Sequence, residues 1–168
     1  MEIIHKKLQS LSVIIADDDE TTLKWLERVL SLYFKDVRGA KDSMEALELF
    51  AQNASDVVIS DVQMPGVDGL SLLQKIASIS PSTLRIVMTA FNSNEYLNRS
   101  VEAEVNFYLK KPIDIDELLV AIASNILTDE TFTQYSLGND YIYDFDQKVV
   151  IKDNKIIKLT KKEVLLIE

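Results

Sequence analysis

The chain has 168 residues, 47% hydrophobic and 27% charged, with 4 glycines, 3 prolines and no cysteine. This is ordinary globular composition, and it excludes collagen-like and linker-like classes, disulfides, thiolate metal sites and cysteine nucleophiles. The net charge is −9; residues 1–127 carry 19 acidic and 12 basic groups and residues 128–168 carry 8 and 6, so the acidic front part repels nucleic acid and suits a cation. No apolar run approaches the roughly 18–20 residues that cross a bilayer. The start, Met1 to Lys7, has no long apolar core and reads as an unprocessed cytoplasmic N-terminus.

Apolar strand-like runs alternate with amphipathic stretches. Val13-Ile14-Ile15-Ala16 predicts a first strand, which meets Asp17-Asp18-Asp19-Glu20 abruptly. Leu23, Leu26, Val29 and Leu30 recur at helical spacing and predict a helix over about 21–33, with Trp25 as a packing residue beside them. A weaker strand falls near Val37. Ser43 begins a second helix with Ala46, Leu47, Leu49 and Phe50 inward, and Asp56 to Asp61 is the third strand. Asp68 caps a helix bearing Leu70, Leu72, Leu73 and Ile76, which Pro81 ends. Leu84 to Thr89 is the fourth strand. A helix is predicted over about 93–102, a fifth strand over Val105 to Leu109, and a last helix from Asp114 or Asp116 with Leu118, Leu119, Ile122 and Ile126 inward.

Five such units in about 125 residues predict a parallel sheet between two layers of helices, its ligands held at the carboxyl ends of the strands. Those ends carry chemistry. The first strand ends in Asp17 and Asp18, the third in Asp61 and the fourth in Thr89, and Lys110-Lys111-Pro112 follows the fifth. Two carboxylates about 5 Å apart repel by roughly 3 kcal/mol at an effective dielectric of 20. A hard divalent cation with oxygen ligands relieves that repulsion. A nearby lysine suits a phosphoryl group, and the Thr89 hydroxyl can donate to one of its oxygens. The set fits phosphoryl transfer, in which positioning and charge neutralisation do the catalysis. Asp19 and Glu20 read as a solvated helix start, where acids suit the helix dipole.

The strings VIIADDDE, VVISDVQMPGVDGL, RIVMTA and FYLKKP, in this order, resemble the receiver domain of two-component response regulators over about residues 10–127. The resemblance implies a flavodoxin-like, doubly wound (βα)5 fold and a switch that is not a turnover enzyme, beyond Mg²⁺-dependent self-phosphorylation and dephosphorylation. It implies Asp61 as acceptor of a phosphoryl group from a sensor histidine kinase. Mg²⁺ or Mn²⁺ would be held by Asp17, Asp18, Asp61 and the backbone carbonyl of Gln63. Lys111, directly before Pro112, would meet the phosphoryl charge. Thr89 and Tyr108 would form the switch pair, and Gln63 and Phe91 would flank the path of hydrolytic water and tune dephosphorylation. A weaker likeness links Asp17-x-Asp19-x-Thr21 to the first motif of haloacid-dehalogenase-type phosphohydrolases, with Asp17 as nucleophile; it leaves Asp61 and the MPGVDG string unexplained.

Residues 128–133 read as a linker. Residues 134–168 resemble the N-terminal sheet of the winged-helix effector of OmpR/PhoB-type regulators, with short strands at 141–143, 148–151 and 156–159 and a capping box at Thr160 to Glu163. DNA would then be bound only through the full-length effector, which this chain begins and does not complete. Such receivers pair through the face of the fourth helix, fifth strand and last helix. Here Asn106-Phe107 precedes Tyr108 and the last helix runs ELLVAIASNIL, so the usual ion-pair residues of that homodimer are largely missing.

Overall fold

Short runs of β-branched residues, apolar on both sides, form strands that must be covered on both faces. A computed structural model of the chain describes residues 8–90, 104–126, 134–138, 141–144, 149–152 and 155–158. Strands β1 (Ser12–Ala16), β2 (Asp36–Ala40), β3 (Val57–Asp61), β4 (Leu84–Thr89) and β5 (Phe107–Lys110) form one sheet in the order β2-β1-β3-β4-β5, every pair parallel. This is the doubly wound order of the flavodoxin-like class, with its switch point between β1 and β3. The described helices of this part are α1 (Glu20–Leu30), α2 (Ser43–Gln52), α3 (Gly69–Ile79) and α4 (Ile115–Ile126). The helix expected over 93–102 lies outside the described residues.

Right-handed crossovers send α1 and α2 to opposite faces, because the chain moves outward from β1 to β2 and then back across to β3. One face buries Ile14, Ala16, Val58 and Val87 against Ala46 and Phe50 of α2 and Leu70, Leu73 and Ile76 of α3. The alternate strand residues Val13, Ile15, Ile59, Ile86 and Met88 are fully buried as well, as are Leu26 and Leu30 of α1. Each such side chain contributes about 1.5–3 kcal/mol by leaving water.

All four helices open on an aspartate. Asp19, Asp42, Asp68 and Asp114 accept from the backbone N–H of Thr22 (2.6 Å), Glu45 (2.8 Å), Ser71 (2.9 Å) and Asp116 (2.9 Å). An alanine at such a cap costs about 1 kcal/mol. Helix α1 ends at Leu30, earlier than its periodicity predicts. The Ser31 hydroxyl bonds back to the Glu27 carbonyl, and a tight turn drives Phe34 into the core. Trp25 lies off the stripe of Leu23, Leu26 and Leu30 and is 45% exposed, so the packing role expected of it is not what the helix gives it.

The chain divides into two compact units, residues 1–123 and 124–168. The second holds an antiparallel meander of β6 (Gln134–Gly138), β7 (Tyr141–Asp144), β8 (Val149–Lys152) and β9 (Lys155–Lys158). Strand β6 was not expected: Gln-Tyr-Ser-Leu-Gly carries no β-branched residue, and its pairing supplies what its composition does not. The capping box at 160–163 lies outside the described residues.

Two glycines permit a direct comparison. A Cβ on Gly69 would collide with the backbone carbonyl of Asp61 and with the Ser60 hydroxyl, and backbone cannot step aside. The atoms nearest a Cβ on Gly39 would be the carboxylate end of Glu27, which can swing away. Gly69→Ala is therefore expected to lower stability by about 1–3 kcal/mol, read from urea unfolding, and Gly39→Ala by less; equal losses would contradict this packing.

Candidate functional site

Register places the chemistry. Ala16 pairs with Ser60, so Asp17 and Asp61 leave neighbouring strands at the same level. The start of this pairing is pinned at the other end of the sheet, where the Ser12 N–H and hydroxyl both donate to Asp56 Oδ2 at 2.7 Å. Asp61 pairs with Met88, and Thr89 with Lys110, which brings β4 and β5 to the same edge. The Lys111 N–H then donates to the Thr89 carbonyl at 2.8 Å.

Asp17, Asp18 and Asp61 each offer an oxygen within 4.8 Å of the others. Asp17 is fully buried, Asp61 half-buried and Asp18 exposed. Lys111 Nζ bridges the two less exposed acids, at 2.8 Å from Asp17 Oδ2 and 2.7 Å from Asp61 Oδ2. The remaining carboxylate oxygens accept from backbone: Asp17 Oδ1 from the Asp19 N–H at 2.9 Å and Asp61 Oδ1 from the Gln63 N–H at 3.3 Å. Of the adjacent lysines, Lys111 reaches the acids and Lys110 is exposed.

An open cleft holds Asp18, Asp61, Gln63, Thr89 and Lys111 along its wall. Met64, Pro65 and Asp68 of the turn after β3 line it as well. Gly66 takes φ +83°, which a residue with a Cβ adopts only with strain, and the Gly69 N–H returns to the Val62 carbonyl at 3.0 Å. Thr89 is buried at the end of β4. Tyr108 is half-buried, pairs with Val87 and packs on the same core face. Strand alternation therefore puts Thr89 and Tyr108 on one side of the sheet. Phe91 lies outside the described residues.

Asp19 and Glu20 face elsewhere. Asp19 caps α1, and the backbone N–H of Thr22 holds its pKa below the ordinary value. Glu20 pairs with Lys24 one turn on, at 2.5 Å. The donor chemistry of the other three acids fits a small hard cation: carboxylate oxygens close together, one acid open to solvent. Sequence reasoning did not anticipate the Asp19 and Gln63 backbone donors, which turn the two inner carboxylates toward the lysine. Main-chain donors leave no signature in residue type.

These features coincide with a known family. The profile of the response regulator receiver domain matches residues 13–123. The chain belongs to the response regulator receiver family. Over 160 residues it is 32% identical to "Response regulator MprA" of Mycobacterium sp. (strain KMS), covering 93% of this chain and 70% of that protein. The crystal structure of the signal receiver domain of an HD domain-containing protein from Pseudomonas fluorescens Pf-5 is similar with TM-score 0.66 at 34% identity, over 70% of this chain and 94% of that one. DrrB, a Thermotoga maritima OmpR/PhoB homolog, is similar with TM-score 0.65 at 25% identity, over 94% of this chain and 70% of that one. The five-stranded part thus has the CheY-like receiver fold. No described helix is long and apolar enough to cross a membrane.

The receiver's Lys111 provides a pH test. Desolvation, its largest single influence, pulls its pKa down; hydrogen bonds and charges from Asp61 and Asp17 together outweigh it, so the folded value lies above the ordinary one. The bridge therefore stabilises the fold fully below the ordinary lysine pKa of about 10.4 and loses that contribution as pH rises through the higher folded value. The stability difference between the natural chain and Lys111→Met should be constant from about pH 7 to 9 and shrink above about pH 11. A difference that holds across the alkaline range would show that the ammonium charge does not matter.

Proposed function

We propose that Asp61 accepts a phosphoryl group from a phosphohistidine of a sensor histidine kinase, and that the resulting repacking controls transcription through a C-terminal DNA-binding domain. The observation that carries this reading is the placement of the Asp61 carboxylate at the end of the central strand, in contact with an ammonium and close to two further carboxylates. An Asp61 oxygen attacks phosphorus, the P–N bond of the donor breaks, and the imidazole leaves with the bonding pair and takes up a proton. Asp17, Asp18, Asp61 and the Gln63 carbonyl would hold Mg²⁺, which when bound would neutralise charge on the transferring group. Lys111 exchanges its contact with Asp61 for one with the phosphoryl oxygens. Thr89 donates its hydroxyl to another of them, and Tyr108, on the same sheet face, follows into the space that Thr89 leaves. The switch is a shift between two packings, biased by new charge-assisted hydrogen bonds.

The haloacid-dehalogenase alternative requires Asp19 as a general acid over the substrate. Asp19 instead caps α1 with its carboxylate, which disfavours that reading. The effector assignment for residues 134–168 is supported by the four-stranded antiparallel meander and by a likeness to the OmpR/PhoB homolog that extends over more of the chain than the receiver alone. Coding sequence beyond residue 168 should then specify a helix-turn-helix and wing.

Incubation with acetyl phosphate and Mg²⁺, followed by phosphate-affinity electrophoresis, tests the acceptor role. The natural chain should shift and Asp61→Asn should not. Asp18→Asn should need much higher Mg²⁺, and Lys111→Ala should slow the shift by about 10²-fold, the scale of one lost charge-stabilising contact. A full shift in Asp61→Asn would overturn the proposal.

A further inference from the structure

One buried charge has no part in the chemistry above. Arg85 lies in β4 within an otherwise apolar run and is only 4% exposed. Its guanidinium spans the far end of the sheet from the acidic cluster. Nη1–H groups donate to the carbonyls of Pro81 at 3.0 Å and Thr83 at 2.6 Å, and Nε–H donates to the carbonyl of Glu104 at 3.0 Å. Glu104 takes φ +52°, a left-handed conformation that a residue with a Cβ avoids unless its surroundings impose it. Two residues on, the Asn106 N–H donates to the Arg85 carbonyl at 2.8 Å, and Asn106 Oδ1 accepts from the Arg85 N–H at 2.9 Å. The side-chain oxygen thus adds one bond to the ladder ahead of its first regular rung, Ile86 with Phe107.

Strand β5 needs such a device. It has four residues and, among the described residues, lies at the edge of the sheet paired only to β4. Its sequence, Phe107-Tyr108-Leu109, is apolar on both faces, so inside–outside alternation specifies its register weakly. Lys110 is followed by Lys111, so a slip by one residue would still present a lysine to the acids. Burial and alternation alone do not decide which lysine that is.

We propose that Arg85 and Asn106 set the register of β5, and so determine that Lys111 rather than Lys110 meets Asp17 and Asp61 and that Tyr108 stands beside Thr89. They are positioning residues, acting through the strand. The consequence for phosphorylation rests on the role proposed above for Lys111; the register itself does not.

The two claims separate experimentally in the full chain. Amide hydrogen exchange of Lys111, whose N–H reports the β4–β5 register through its bond to Thr89, should be about tenfold or more faster in Asn106→Ala and Arg85→Met, while the Ile59 amide in the central strand keeps its protection. Asn106 is exposed, so its variant keeps the test open should Arg85→Met fail to fold. Unchanged Lys111 exchange in Asn106→Ala would overturn the proposal. The second arm measures phosphorylation by acetyl phosphate with Mg²⁺. In the natural background Lys111→Ala should slow it and Lys110→Ala should not; with Asn106→Ala present, Lys110→Ala should become costly and Lys111→Ala less so. The same ratio of lysine effects in both backgrounds would also overturn it. Silence of Lys111→Ala in the natural background would instead defeat the role proposed for that lysine, and amide exchange would then decide the register alone.

Discussion

Three carboxylates meet at adjoining strand ends of the receiver, and one ammonium lies between the two inner ones. Lys111 touches both Asp17 and Asp61, from a position 94 residues beyond the first and 50 beyond the second. Nothing local brings these groups together. The parallel sheet does, by lining up five carboxyl-terminal ends, and the free energy that holds the charges close comes from the apolar strands beneath them. The ion bridge itself is weak evidence for stability, since burying charge costs desolvation. Its value is in placement: it turns the Asp61 carboxylate into the cleft with an exchangeable cation beside it.

Placement depends in turn on register and on close backbone approach. Ser12 and Asp56 fix β1 against β3 at the bottom of the sheet, and the benefit is read at the top, where Asp17 meets Asp61. The Pro65-Gly66 turn and the contact of Gly69 with the Asp61 carbonyl hold the following loop against the acceptor strand. On the far side, Arg85 and Asn106 fix a strand too short and too evenly apolar to fix itself. Each device uses a polar group at a sheet end to set the position of another polar group several residues away.

Much of this was legible in the sequence because apolar runs ending in acids, threonine or lysine-proline have few other meanings in an alternating α/β chain. The five strands, the Asp68 cap and the grouping of Asp17, Asp18 and Asp61 follow from such strand ends; the choice of Lys111 over Lys110 came from the family resemblance, in which the lysine directly precedes a proline. What escaped was information carried by the main chain or by tertiary context. The early stop of α1 depends on a turn that buries Phe34, and Trp25 is exposed because the buried stripe of α1 runs along Leu23, Leu26 and Leu30. Strand β6 pairs without the composition of a strand. Arg85 did leave a signal, a lone charge inside Leu84-Arg85-Ile86-Val87-Met88, a run that must be buried on both faces. A cation there must find carbonyls, and only the fold shows that they belong to Pro81 and Thr83 ahead of β4 and to Glu104 ahead of β5.

The central claim concerns which carboxylate becomes phosphorylated. Borohydride reduction of the acetyl-phosphate-treated chain, followed by peptide mass spectrometry, converts an acyl phosphate to a stable homoserine mark at the residue that carried it. The account predicts that mark at Asp61, dependent on Mg²⁺. A mark at Asp17 with Asp61 unmodified would contradict it.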